Sequence, residues 1–294
     1  MASKMKTTLL ISLAALMTLA FKSDKPAYLL YDSEGKNVKY EKMIERISNA
    51  DVVFFGELHD NPISHWLELE ITAGLHMVAG NNLIIGAEMF EADNQLLLDE
   101  YLASKYQADK FEAEVKLWKN YKTDYKPLVE FARKNGLPFI ATNVPRRYAS
   151  MVSRGGFEVL DSLTSEAKKY LAPLPVSYDP ELKCYKDMLS MPGMPGTGGK
   201  PNLNFPKAQA IKDATMAHFI ATSLAEGKKF IHYNGAYHSD NYQGIVHYLS
   251  LYRPGVKVAT ITTVMQDDIS SLSEENRGLA DFIVTVPQTM TRTY

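Results

Sequence analysis

A mostly parallel α/β sheet flanked by helices is the fold this sequence predicts, and three observations predict it. Apolar runs of strand length alternate with longer stretches of helical spacing from about residue 51 onward. Prolines and glycines fall where such elements start and stop: Pro62 and Pro127 suit first helical turns, and Gly136 suits a helix end. One pattern, a hydrophobic strand running into Gly-x-x-His and then Asp-Asn, occurs twice, as VVFFGELHDN at 52–61 and FIHYNGAYHSDN at 230–241. In each copy the glycine is read as freeing the backbone where the strand ends, with the histidine in the turn beyond.

Taken in order, AYLLYD and NVKY read as a strand pair around the turn Ser33-Glu34-Gly35, and residues 40–48 have the apolar spacing of a short helix. Core strands are expected at 51–55, 83–89, 138–142, 229–233, 256–264 and 281–286, each an apolar run rich in β-branched or aromatic residues. Helices are expected at 62–78, 94–103, 110–118, 126–135, 207–225 and 241–251. Between them, about residues 155–206 read as a smaller helical insertion. It carries the loop MPGMPGTGGKP, whose prolines and glycines continue neither regular element and suit a lid. Met188, Met191 and Met194 are read as apolar packing of that lid.

Residues 1–20, MASKMKTTLLISLAALMTLA, place Lys4 and Lys6 before an apolar stretch that ends in small residues, the pattern of a secretory signal. The expectation is an exported chain in the periplasm or cell envelope, with one α/β domain over 21–294 that begins near Phe21; an uncleaved membrane anchor is the alternative. Cys184 is the sole cysteine, so no intramolecular disulfide can form and no cysteine at the signal junction can take a lipid. With 32 basic against 34 acidic residues, the chain lacks the charge excess that nucleic-acid binding requires. No Gly-x-Ser-x-Gly elbow and no phosphate-binding loop is present.

Polar residues cluster just after the expected strands: Glu57 and His59, Glu88, Asn143, and His238. Parallel strands would send all of them to one crevice, where open α/β sheets bind ligands. Glu88 lies on an apolar strand and needs a partner. A divalent metal held by His59, Glu88 and His238 would supply one, as would a protonated histidine; the plain structural alternative is an ion pair with Arg146 or Arg147. Asn143-Val144-Pro145-Arg146-Arg147 joins a strand end to a proline-led helix start and suits a carboxylate or phosphate, a haem propionate included. Among 17 tyrosines, Tyr148, Tyr178, Tyr185, Tyr233, Tyr237 and Tyr242 fall near these elements or the insertion, and a phenolate can bind ferric haem iron. His65 and His76 are read as hydrogen-bonded packing, His218 and His247 as lacking a partner at ligand spacing, and His232 as lying within a strand and pointing away from the crevice.

The segments FFGELHDNPISHW, GAEMFEADNQLLLDEYL, WKNYKTDYKPLVEFARKNGLPFIATNVPRR, QAIKDATMA and NGAYHSDNYQGIVHYL together resemble the ChaN-like haem-binding proteins of bacterial iron uptake. These belong to a wider superfamily that includes Tiki-type metalloproteases and erythromycin-esterase-like proteins. The resemblance implies an α/β core with a smaller helical part and haem held by a tyrosine and a histidine. It also implies a homodimer with haem between its subunits, and outer-membrane haem-uptake components as partners. From the Tiki branch it carries over a divalent metal to His59 and His238, with Glu88 as acidic partner. Two readings therefore stand: a haem-binding protein contacting its ligand through His59, Asn143, Arg146, Arg147, Tyr148, Tyr185, Tyr237 and His238, and a metal-dependent hydrolase with Glu57 or Glu88 as base.

Overall fold

Every residue of Val52–Glu57 (β2) and of Leu83–Glu91 (β3) is buried, the mark of strands covered on both faces. The computed structural model describes residues 25–190, 196–197 and 200–294. Within them, β2 and β3 join Leu29–Asp32 (β1), Phe139–Asn143 (β4), Lys229–Gly235 (β7), Val258–Gln266 (β8) and Phe282–Pro287 (β9) in one seven-stranded sheet of order β1-β9-β8-β2-β7-β3-β4. All neighbours in it run parallel except β1, which pairs antiparallel with β9. Gly196–Thr197 (β5) and Lys200–Pro201 (β6) form a separate two-stranded ribbon.

Strand parity divides the core into two layers. Val53, Phe55, Ile85, Ala87, Ile231 and Tyr233 pack with the helices Tyr40–Ile47, Pro62–Ala79, Gln95–Leu102 and Lys126–Asn135. Val52, Phe54, Ile84 and Phe230 face the other way, onto Lys183–Met188, Phe205–Ser223 and Ile245–Tyr252. The sheet is thus sandwiched between helical layers. Because β7 returns from late in the chain to lie between β2 and β3, the carboxyl ends of β2, β7 and β8 border a crevice where the winding changes direction.

Local signals act as expected at two helix ends. Asn61 caps the Pro62–Ala79 helix, its side chain accepting from the Ile63 and Ser64 amides, and Gly136 closes Lys126–Asn135 in the left-handed conformation at φ 63°. Elsewhere the structure corrects the sequence reading. NVKY forms no strand: Asn37 makes a single bridge to Tyr31, and β1 finds its partner in β9 instead. The helix expected at 110–118 stops at Glu114, and a wide turn at Tyr121–Tyr125 carries the chain into the next helix. The last expected helix starts at Ile245 because Asn241, Tyr242 and Gly244 all have positive φ. The signal segment, Met191, Met194 and most of the lid loop lie outside the described residues.

Candidate functional site

The two Gly-x-x-His glycines meet in space, and sterics rather than backbone freedom explain them. Gly235 has an ordinary φ of −54°, but a Cβ there would lie 2.7 Å from His59 Nε2 and 3.6 Å from Glu88 Oε2. A Cβ on Gly56 would lie 2.8 Å from the Ala236 Cα. Bare backbone lets the turn after β7 press against β2, and so brings the two histidine turns together. Gly56→Ala, whose Cβ would press on the Ala236 backbone, is expected to cost ~1–3 kcal/mol of stability through overpacking. Denaturant unfolding measures the cost, and the same variant should weaken any ligand held by His59.

On the face of the Pro62–Ala79 helix, Glu57 ends β2 almost wholly buried. Its Oε1 accepts from the Tyr125 hydroxyl at 2.7 Å and lies 2.5 Å from His59 Nδ1. Burial alone would lower the pKa of His59, but the hydrogen bond to Glu57, and after it the charge of Glu88, raise it above the ordinary value. With Nδ1 committed to Glu57, His59 presents Nε2, for which the described residues supply no hydrogen-bond partner. Its imidazole is about one-third exposed, at 34%, and sits edge-on to Trp118 with ring centres 4.9 Å apart. Deeper on this face, His65 stands between Glu57, Glu68 and Asp124.

On the opposite face, Glu88 is held by the Gly235 amide at 2.9 Å and by His238, whose Nε2 is 3.3 Å from Oε1. The other ring nitrogen of His238 reaches Asp213 Oδ1 at 2.5 Å, and Asp213 Oδ2 in turn accepts from the Tyr185 hydroxyl at 2.6 Å. Burial works against charging either member of the central pair. The charges of Glu88 and Asp213 nonetheless push His238 up to about 10, and the charge of His238 holds Glu88 well below the ordinary carboxylate range. His238 is therefore an imidazolium at neutral pH, clamped between two carboxylates.

This clamp fixes a pH dependence. The folded pKa of His238 lies above its unfolded value of 6.5, so its stabilisation is complete below pH 6.5 and fades as pH rises toward 10. Thermal midpoints are expected to fall across that window in the native chain. His238→Asn should flatten the fall; an unchanged slope in the variant would refute the assignment.

Between the two systems opens a cleft of about 720 Å³, bordered by Glu57, His59, Tyr237, His238, Met265 and Tyr294 among others. Its volume is ample for a cofactor-sized ligand. Asp240 also borders it, and burial raises that carboxyl to about 6.

The structure brings Glu57, His59, Glu88 and His238 together, with Asn143 beside them donating to the Glu88 carbonyl at 2.9 Å. The ion pair considered for Glu88 with Arg146 or Arg147 is not formed. Arg147 pairs with Asp93 and lies over the Tyr148 ring at 4.4 Å, while Arg146 lies 4.0 Å from Glu91, all at the end of β4 and apart from the cleft lining. Tyr185 is fully buried behind Asp213, and Tyr237 lines the cleft with its hydroxyl on the Cys184 carbonyl at 2.5 Å. Sequence reasoning missed Asp213, Glu68, Asp124 and Tyr125. The signal for Asp213 was a lone acid in the apolar stretch QAIKDATMA; for Glu68 it was an acid three residues after His65 on one helix face.

A mostly parallel α/β sheet with buried histidine–carboxylate systems at its strand ends belongs to the doubly wound class, whose members bind ligands in such crevices. The family model described as haem-binding uptake, Tiki superfamily, ChaN matches residues 43–249, and the chain belongs to this family. In structure it is similar to ChaN of Campylobacter jejuni, described by cofacial haem binding, with a TM-score of 0.66 and 18% identity, covering 87% of this chain and 96% of that one. In sequence it is similar to Protein RETICULATA-RELATED 5, chloroplastic, of Arabidopsis thaliana, 26% identical over 203 residues, which are 66% of this chain. The chain spans only about a quarter of that relative, 27% of its length.

Proposed function

We propose that the protein binds haem in the cleft at the ends of β2, β7 and β8, with His59 as an iron ligand, in the service of haem or iron acquisition. The observation that carries the reading is the His59 imidazole. Its Nδ1 is held by Glu57, its Nε2 is unclaimed, and it stands partly exposed against Trp118 at the mouth of a roomy cleft. A histidine that ligates metal commonly gives its other ring nitrogen to a carboxylate in this way. Membership of a haem-binding uptake family supports the choice of ligand.

Leu58, Ala236, Val264, Met265 and Leu279 offer apolar surface to the macrocycle, and Tyr237 and Tyr294 border the same space as phenol donors. Lys119, lying over the Tyr294 ring at 3.7 Å, stands near the cleft to meet a propionate, whereas Arg292 is paired with Asp60, which answers much of its charge. Arg146 and Arg147 would serve only a ligand reaching across to β4. The similar Campylobacter jejuni protein is described by cofacial haem binding; for this chain the loaded form is taken to be a homodimer with haem between its subunits. Export to the cell envelope, and contact there with outer-membrane uptake components, suit such a role and rest on the amino-terminal sequence pattern.

The hydrolase reading is the second one, favoured by His238, which turns one ring nitrogen to Asp213 and the other to Glu88 much as His59 turns Nδ1 to Glu57; membership of a haem-binding uptake family puts haem first. Titration with haemin, followed by visible absorption and gel filtration, is expected to give a saturable Soret change at micromolar protein together with dimer formation. Peptide or ester cleavage that requires a divalent metal and both His59 and His238, with no haemin spectrum, would replace the haem reading by the hydrolase one.

A further inference from the structure

We propose that Glu57, His65 and Glu68 form a buried site for one divalent transition-metal cation, such as Zn²⁺, beneath the cleft and separate from the haem position. Ligand atoms of these three residues lie within 4.8 Å of one another, and all three side chains are buried. His65 Nδ1 is 3.5 Å from Glu57 Oε2 and 3.4 Å from Glu68 Oε2. Such separations are long for hydrogen bonds of charged groups. They match two donors on one tetrahedral ion, which stand roughly 3.4 Å apart when each bond is about 2.1 Å.

The hydrogen bonding points the same way. Glu57 Oε2 and Glu68 Oε1 are buried with no N–H or hydroxyl donor among the described residues; burial and the charge of Glu57 raise the Glu68 carboxyl well above the ordinary range, so the two acids need either a shared proton or a cation between them. His65 Nε2 is 3.1 Å from the His59 carbonyl, with Asp124 Oδ2 at 3.4 Å, so that nitrogen carries a proton; Nδ1 faces the two acids, where a cation would take its lone pair. A ring N–H on a backbone carbonyl, with a carboxylate alongside, is the outer support that metal-bound histidines usually have. Tyr125 donates to Glu57 Oε1 and Asn120 donates to Asp124, so the outer residues are themselves fixed. One imidazole and two carboxylates suit Zn²⁺, Mn²⁺ or Fe²⁺.

The placement gives the ion a role. Glu57 would use Oε2 for the cation and Oε1 for His59, so the cation positions the carboxylate that orients the cleft histidine. The proposal does not depend on what occupies the cleft.

The test uses the full chain, stripped with a chelator and re-exposed to Zn²⁺. Elemental analysis after gel filtration is expected to find one Zn²⁺ per chain, and X-ray absorption at the zinc edge to show a single imidazole with oxygen ligands. Glu68→Gln should weaken binding by at least the ~10–100-fold that loss of outer-sphere support typically costs. His238→Asn should bind as the native chain does. No stoichiometric Zn²⁺ overturns the proposal, leaving a proton shared by Glu57 and Glu68 as the answer to the two acids. Two imidazoles on the ion, or loss of binding in His238→Asn with Glu68→Gln unaffected, overturns it in favour of His59 and His238. The spectrum of the native chain decides even if Glu68→Gln fails to fold.

Discussion

Glu88→Ala is expected to lower the free energy of unfolding by ~3–5 kcal/mol, the usual cost of breaking a buried ion pair by removing one partner. Glu88 is 3% exposed and His238 is 8% exposed, so water cannot replace the lost contact. The Gly235 amide loses its acceptor in the same change. Glu88→Gln keeps that acceptor and the shape, and should recover part of the loss. Urea or guanidinium unfolding monitored by circular dichroism measures both; a loss under ~1 kcal/mol for Glu88→Ala would mean that the Glu88–His238–Asp213 chain contributes little net stability.

The second large effect is on ligand binding. His59→Ala should weaken haemin by ~100-fold or more, since it removes the proposed iron ligand while the apolar walls remain. The histidine is partly exposed, so the fold should tolerate the change, and an unaltered far-ultraviolet spectrum checks this. Arg146→Ala should change affinity little, because that guanidinium lies beside Glu91 and away from the cleft. Equal losses in the two variants would move the ligand toward β4.

Much of the frame is legible in the sequence because the central strands are buried on both faces and read as unbroken apolar runs. Each of the six expected core strands lies within two residues of its observed ends. Glu57, His59, Glu88 and His238 are legible for a related reason: each is polar and follows such a run, and parallel pairing sends those ends one way. NVKY misleads because strand propensity says nothing of partners, and β1 takes a strand some 250 residues away, with Leu29 opposite Thr285. The inner partners were illegible for a similar cause. Asp213 and Tyr185 come from the helices Phe205–Ser223 and Lys183–Met188, and only tertiary packing brings them behind His238. His65 and Glu68 sit on a helix whose spacing reads as ordinary packing until Glu57 arrives from the sheet.

The same geometry explains why the two arginines mislead. A proline-led helix start after β4 is a sound anion-binding signal in isolation, but Asp93 and Glu91 lie next to them and answer much of their charge. The sheet order then sets β4 two strands from β7, on the far side of β3 from the cleft.

Iron anomalous scattering from crystals grown with haemin locates the ligand most directly. The iron peak is expected in the cleft at the ends of β2, β7 and β8, at bonding distance from His59 Nε2, and that placement is the central claim. A peak at the end of β4 beside Tyr148, or ordered haem with His59 turned away from the iron, would contradict it.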